Sequence, residues 1–593
     1  MHKTRLGASL KSKLTSHATG SLLAVTLMLS TACAQSPQGS KPATHPDLGP
    51  NVLLFDPSMP SADIQAQIDK VYGSQQHSEF GTARYALLFL PGEYHVDIPV
   101  GFYTQVIGLG VTPDAVHIIG NVHSDASLPR NNATCTFWRG VEGFSVTPTD
   151  GTMQWAVSQA VPFRRMHVIG NIVLHQKGGW ASGGWMSDSL IDGNVGAGPQ
   201  QQWISRNSEW GSWTGANWNM VFVGIPHPPA GEWPQPPYTK VERTPIVREK
   251  PFLEVDAKGK WSVRIPALQT DSQGITWHGG STPGRSVPLT SFYIAQSGRD
   301  SATTINAQLA NGKNLLLTPG IYDLTEPIRV NRANTVVIGL GFATLRPTRG
   351  TAVMTTADVG GIEIAGLLFD AGSEISPVLL EVGPSGSKEL HIQNPTTVHD
   401  VFFRVGGAGV GRAKVNLLIN SNDTIIDHTW IWRADHGAGV GWTSNLSANG
   451  LVVNGNSVTA YGLFVEHHQQ FQVLWNGNEG RTYFYQSEIP YDPPDQPSFT
   501  SAPGTNGWAS YKVADTVINH QAWGLGIYSV FRHPNVVLTR AIETPVHVNV
   551  SFHHMITVAL DNLGEISNVI DDKGGPTHVA PDRVTPKVAE FPR

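Results

Sequence analysis

Short apolar runs broken by Gly, Asn or Asp fill most of this chain, as in Thr424-Ile425-Ile426-Asp427-His428-Thr429-Trp430-Ile431-Trp432 and Gly450-Leu451-Val452-Val453-Asn454-Gly455-Asn456. Alternation with a period of two puts every second side chain on one face of a strand, and Gly or Asn turns the corner to the next. Such strands fit the coils of a parallel β-helix, whose inward residues form a dry stack. A β-sandwich would also give many short strands, so a longer repeat has to decide. Leu88-Phe89-Leu90-Pro91-Gly92-Glu93-Tyr94 leads to Ile107-Gly108-Leu109-Gly110, and Leu317-Thr318-Pro319-Gly320-Ile321-Tyr322 leads to Ile338-Gly339-Leu340-Gly341. Each block follows a short helical signal, Ser61 to Ile68 and Ser301 to Leu309, with Ile or Leu spaced by four and a serine expected as N-cap. Two β-helices in tandem, each with a helix covering its open end, are the expected architecture.

The expected fold class is all-β, with two tandem right-handed parallel β-helix domains. In segments, 1–34 reads as a signal peptide, 35–50 as a disordered linker and 51–225 as the N-terminal β-helix. Residues 226–290 read as a Pro-rich connector with bracing strands, 291–570 as the C-terminal β-helix and 571–593 as a polar, poorly ordered tail.

Composition narrows the function. With 15% charged residues, 62 Gly, 41 Pro and 17 Trp, the chain has a turn-rich, aromatic make-up that suits carbohydrate. Lys3, Arg5, Lys11 and Lys13 precede the apolar run Leu22 to Leu29 and then Ser30-Thr31-Ala32-Cys33-Ala34, which reads as a secretory signal and implies a secreted or periplasmic protein. Cys33 as a lipidated anchor is the alternative. Removing those four cations from 40 Lys+Arg leaves 36 against 46 Asp+Glu, a net charge of −10 that excludes nucleic acid as a partner. Cys135 is the other cysteine, so loss of Cys33 leaves no intramolecular disulfide. No later apolar run reaches the roughly 18 residues of a membrane span, and a monomer without cofactor is expected.

The chemistry concentrates at two carboxylates. Glu488 lies 22 positions after Glu466, and the turn Trp475-Asn476-Gly477-Asn478-Glu479-Gly480 separates their strands, so the gap is about one coil and stacking brings the two side by side. A paired acid and base among aromatics and amides is what glycoside hydrolysis needs. Other candidates are weaker. His467-His468 and His553-His554 lack Cys or carboxylates at ligand spacing, so they read as structural and no metal is expected. Gly406 to Lys414 lacks the Gly-Lys-Ser/Thr ending of a phosphate loop. Glu209, amid Trp203, Trp210, Trp213 and Trp218, is an outlying carboxylate beside either a sugar platform or packing.

The segments Val465-Glu466-His467-His468-Gln469-Gln470-Phe471-Gln472 and Gln486-Ser487-Glu488-Ile489-Pro490-Tyr491 resemble the active-site region of glycoside hydrolase family 55, β-1,3-glucanases built on two pectate-lyase-like β-helices. Trp155 to Ala160, Ser182 to Asp188, Gln200 to Asn207 and Trp432 to His436 are similar to family segments, in the family's order; Leu53 to Ser58 departs from the usual opening. The resemblance implies an inverting, exo-acting β-1,3-glucan hydrolase. It makes Glu488 the general acid and gives Glu466, Gln159 and Ser182 the attacking water. Trp432, Asp435, His436 and Tyr491 would bind substrate, although Trp432 reads equally as core because Trp430 shares its face. Two alternatives remain: a β-helix polysaccharide lyase or pectinase-like enzyme, and a non-catalytic carbohydrate-binding surface protein.

Overall fold

The computed structural model describes residues 45–592. The expected signal peptide, the Cys33 anchor and residues 35–44 of the linker lie outside the described residues. Two parallel β-helices follow one another. In the first, the strands Val52–Phe55, Tyr85–Phe89, Thr104–Gly108, Arg139–Glu142, Pro162–Arg164, Trp185–Ser187, Gln202–Arg206, Asn219–Val223 and Tyr238–Val241 stack in that order into one parallel sheet. The main sheet of the second runs from Phe292–Ala295 to Asn549–Ala559. Each helix buries its own stack of mostly apolar side chains, such as the column Leu367, Val401, Thr429, Leu463, Tyr485 and Leu525 on successive coils of the second.

Coil corners carry asparagine ladders. Asn454 Nδ2 donates to Asn420 Oδ1 at 2.8 Å and Asn476 Nδ2 to Asn454 Oδ1 at 2.9 Å, which ties each turn to the last. Both helices open with an α-helix, Ser61–Gln75 and Ala302–Ala310, laid over the first rung through Ile64, Ile68 and Val71 or Ile305 and Leu309. Ser301 is the N-cap expected, accepting from Thr304 N at 3.2 Å. Ser61 is not: it is already helical, and Pro60 holds the cap position without a side-chain bond.

Three segment boundaries differ from the sequence reading. Tyr238–Val241, inside the expected connector, is the last rung of the first β-helix, because it pairs in register with Asn219–Val223. The tail contains the strand Lys587–Phe591, which runs antiparallel to Asn549–Ala559 and covers its edge. Leu48, in the expected linker, is buried. The connector's remaining strands form antiparallel braces, Thr244–Val247 with Gln269–Ser272 and Phe252–Val255 with Trp261–Pro266 and Gly284–Pro288.

Charge joins the two β-helices. Arg164, from the first, donates to Asp400 from Nε (2.8 Å) and Nη2 (2.9 Å) and to Asp427 from Nη1 (2.8 Å). Arg206 grips Asp427 twice at 3.0 Å and the connector's Glu249 at 2.6 and 2.8 Å. All five side chains are buried. Arg206→Ala should lower unfolding free energy by about 3–5 kcal/mol, because it strands Asp427 and Glu249 without a full complement of cations in the interior. Chemical denaturation followed by tryptophan fluorescence checks this, and a midpoint within error of wild type would show that the pairing does not hold the halves together.

Candidate active site

Seven long strands of the second β-helix bend at one left-handed residue each. Gly366, Asp400, His428, Gly462, Phe484, Gly524 and His554 all have positive φ and fall at the same level of neighbouring strands. For glycine this costs little, whereas Asp400, His428, Phe484 and His554 must be held there by their surroundings. Four residues beyond the bend, the register stacks Arg404, Trp432, Glu466, Glu488 and Tyr528 in one column. Glu466 and Glu488 are thus in-register neighbours, and the 22-residue spacing is one coil.

Successive coils of the first β-helix offer a matching row of loop residues, Cys135, Phe137, Gln159, Ser182 and Gln201. The two rows enclose a cavity of about 200 Å³. Its lining includes all eight residues singled out above: Glu488, Glu466, Gln159, Ser182, Trp432, Asp435, His436 and Tyr491. Through Thr134, Gln201 and Leu560 it adjoins a second hollow of about 530 Å³, where Trp180 and Trp218 stack 6.2 Å apart and Arg583 stands nearby.

Glu466 is bound at both oxygens. Gln159 Nε2 donates to Oε1 at 2.8 Å across the interface, and Trp430 Nε1 donates to Oε2 at 2.9 Å. Burial lifts its carboxyl to about 7, against the pull of these donors. Burial, then the charges of Glu466 and Asp435, push Glu488 well above the usual carboxylate range. The pair therefore keeps a proton at neutral pH, held more firmly on Glu488 than on Glu466. Tyr491 donates its hydroxyl proton to Glu488 Oε2, which leaves Oε1 to carry the acidic proton.

His467 has a place in this arrangement that its sequence did not reveal. Its Nδ1 faces the Ile489 carbonyl at 3.2 Å, so the proton sits there and the bare Nε2 turns toward Glu488 Oε2 (3.9 Å) and Glu466 Oε2 (4.0 Å). Burial holds the ring at about 4, hence neutral. It adds no cation to the carboxyl pair. Asp435 and His436 form a separate ion pair: despite burial, the hydrogen bond to His436 (2.8 Å) and the charge of Arg532 hold Asp435 at about 2. Burial opposes the charged form of His436, but bonds to Asp435 and to Glu79 (2.6 Å) raise it to about 10.

Trp432 is both things the sequence left open. It is buried against Trp430 (4.8 Å) and Phe80 (6.2 Å), and an edge still lines the cavity. Glu209 stands apart from the cavity, accepting from Ile275 N (3.1 Å) and His278 Nε2 (2.8 Å) of the connector. Trp203, Trp210 and Trp213 pack inside the first β-helix. Sequence reasoning missed Trp430, whose signal was only its position one coil before Phe464 on the bent strand.

Two facing β-helices that hold a pair of in-register carboxyls, one of them tethered, at a cavity lined with aromatics define a β-helix glycoside hydrolase. Residues 292–488 match the LAM55 pectate lyase-like domain. An exo-beta-1,3-glucanase of Streptomyces sp. (strain SirexAA-E / ActE) is 48% identical over 550 residues, 92% of this chain and 90% of that protein. The structure of sacteLam55A from Streptomyces sp. SirexAA-E aligns with a TM-score of 0.90 at 47% identity, over 92% of this chain and 99% of that one. A variant of sacteLam55A in complex with glucose aligns equally well. The chain belongs to glycoside hydrolase family 55.

Trp430→Phe keeps the ring and removes the donor to Glu466, so the carboxyl loses a bond that favours its ionised form and its pKa rises. If ionised Glu466 is required, the acidic limb of the kcat/KM profile moves to higher pH. An unmoved limb would assign it to another group.

Proposed function

We propose that this enzyme cleaves β-1,3-glucan from a chain end, in one displacement that inverts the anomeric carbon. The observation that carries the reading is the pairing of Glu488 with Glu466, the latter tethered by Gln159 and Trp430. Glu488 donates its proton to the leaving oxygen. Glu466, with Gln159 and Ser182, holds a water on the opposite face of the ring. Tethering at both oxygens directs Glu466 toward water rather than carbon.

The cavity volume of about 200 Å³ suits one sugar unit. Trp180 and Trp218 offer faces on which the leaving glucan could stack. Both features favour exo-action. No lysine or arginine lines the cavity, which counts against a lyase acting on uronates. The N-terminal sequence supports export, and a site complete within one chain supports a monomer; no described helix is long and apolar enough to cross a membrane.

Glu488→Gln should lower laminarin hydrolysis by roughly 10² to 10⁴ while the fold persists, because an amide cannot protonate the leaving oxygen. Near wild-type turnover would remove Glu488 from the role. Proton NMR of the first sugar released, read before mutarotation, should show the α anomer. An initial β product means a covalent intermediate, with Glu466 as nucleophile.

A further inference from the structure

Glu79, Cys135 and His436 each offer one ligand atom, and these atoms lie within 4.8 Å of one another, the one such trio among the described residues. They are 56 and 301 positions apart in sequence, so no spacing rule could find them. Glu79 follows the first α-helix, Cys135 sits in a coil turn of the first β-helix, and His436 follows the bent strand Ile425–Arg433. Cys135 and His436 both line the sugar-sized cavity.

We propose that these three side chains bind a thiophilic divalent cation of the Zn²⁺ class, and that the bound ion closes the sugar cavity. The inhibitory half rests on the glycosidase reading above; the binding half does not. Sulfur, imidazole and carboxylate are the ligands such a cation prefers, and three of them leave a fourth position open. All three residues are half-buried, so an ion can reach them through the cavity. His436 is already oriented as metal-binding histidines are: Asp435 Oδ1 holds Nδ1 at 2.8 Å, and Nε2 faces Glu79 Oε1 at 2.6 Å.

The charge balance closes. The cation takes the place of the proton between His436 Nε2 and Glu79 Oε1 and of the Cys135 thiol proton. Two protons leave as one doubly charged ion enters, and local net charge is unchanged. The ion then stands beside Trp432 and Asp435, and it and the water on its open position take the space that a sugar ring needs.

The test uses the full chain with Cys33→Ser, so that Cys135 is its one thiol. Chelator-stripped protein is titrated with Cd²⁺ while thiolate-to-metal absorption and laminarin hydrolysis are followed together. The absorption should saturate at one equivalent, the rate should fall as it grows, and EDTA should restore both. Cys135→Ser should abolish the absorption and the response of the rate, each compared with that variant's own cation-free state, and Glu79→Gln should weaken both. Absence of the band, or its persistence in Cys135→Ser, overturns the site. A saturating band with an unchanged rate overturns closure. Active enzyme without a band leaves the glucanase reading standing, whereas a band on protein inactive toward laminarin in every state keeps the site and removes that reading.

Discussion

Two arginines that cross from the first β-helix into the second set the geometry of everything at the cavity. A buried guanidinium is costly unless its charge and donors are met, and Arg164 and Arg206 meet theirs on Asp400, Asp427 and Glu249. Their forks are directional, so they fix how the two stacks slide past each other. Arg164 lies five residues after Gln159, and Asp427 three before Trp430. The clamp is therefore on the coils that bring Gln159 and Trp430 to Glu466. A small slip between the stacks would break the 2.8 Å contact between Gln159 and Glu466 that spans them.

The bend in the second β-helix works with that clamp. Asp400 and His428 occupy it, their backbones forced into the left-handed region, and their side chains bond each other at 2.8 Å. Trp185 of the first β-helix stacks on His428 at 5.1 Å. The strain of the bend is thus sustained by the same interface that it shapes. Beyond it, four residues of regular strand carry Trp432, Glu466 and Glu488 to the cavity wall.

The stacking of Glu466 on Glu488 was legible because a β-helix converts coil length directly into neighbourhood: 22 residues with one Asn/Gly corner return the chain to the same place. The two-helix architecture was legible for the same reason, as a block that recurs. Contacts between the stacks were not. Arg164 and Asp400 are 236 positions apart, and nothing in either run of residues names the other. Gln159 and Ser182 entered through resemblance, since no periodicity marks a loop residue that reaches across an interface. The boundaries at 225 and 571 misled because Pro and polar residues were read as breaks, whereas Tyr238–Val241 and Lys587–Phe591 still find open edges to pair with. Ser61 misled because any serine before a helical run looks like a cap.

Burial alone does not explain the site, since it acts on both carboxylate groups and leaves them in opposite states. Asp400 and Asp427 are buried at least as deeply as Glu466 and more deeply than Glu488, and desolvation would raise all four. The charges of Arg164 and Arg206 hold the two aspartates far below the usual carboxylate range. Glu466 and Glu488, a few residues further along neighbouring strands, have the amide of Gln159, the indole of Trp430, the phenol of Tyr491 and a neutral His467, with no cation bonded to either. Neutral donors orient a carboxyl without forcing it to ionise. The fold thus spends its arginines on the clamp and withholds them from the cavity wall, which is what allows one carboxyl there to keep a proton at neutral pH.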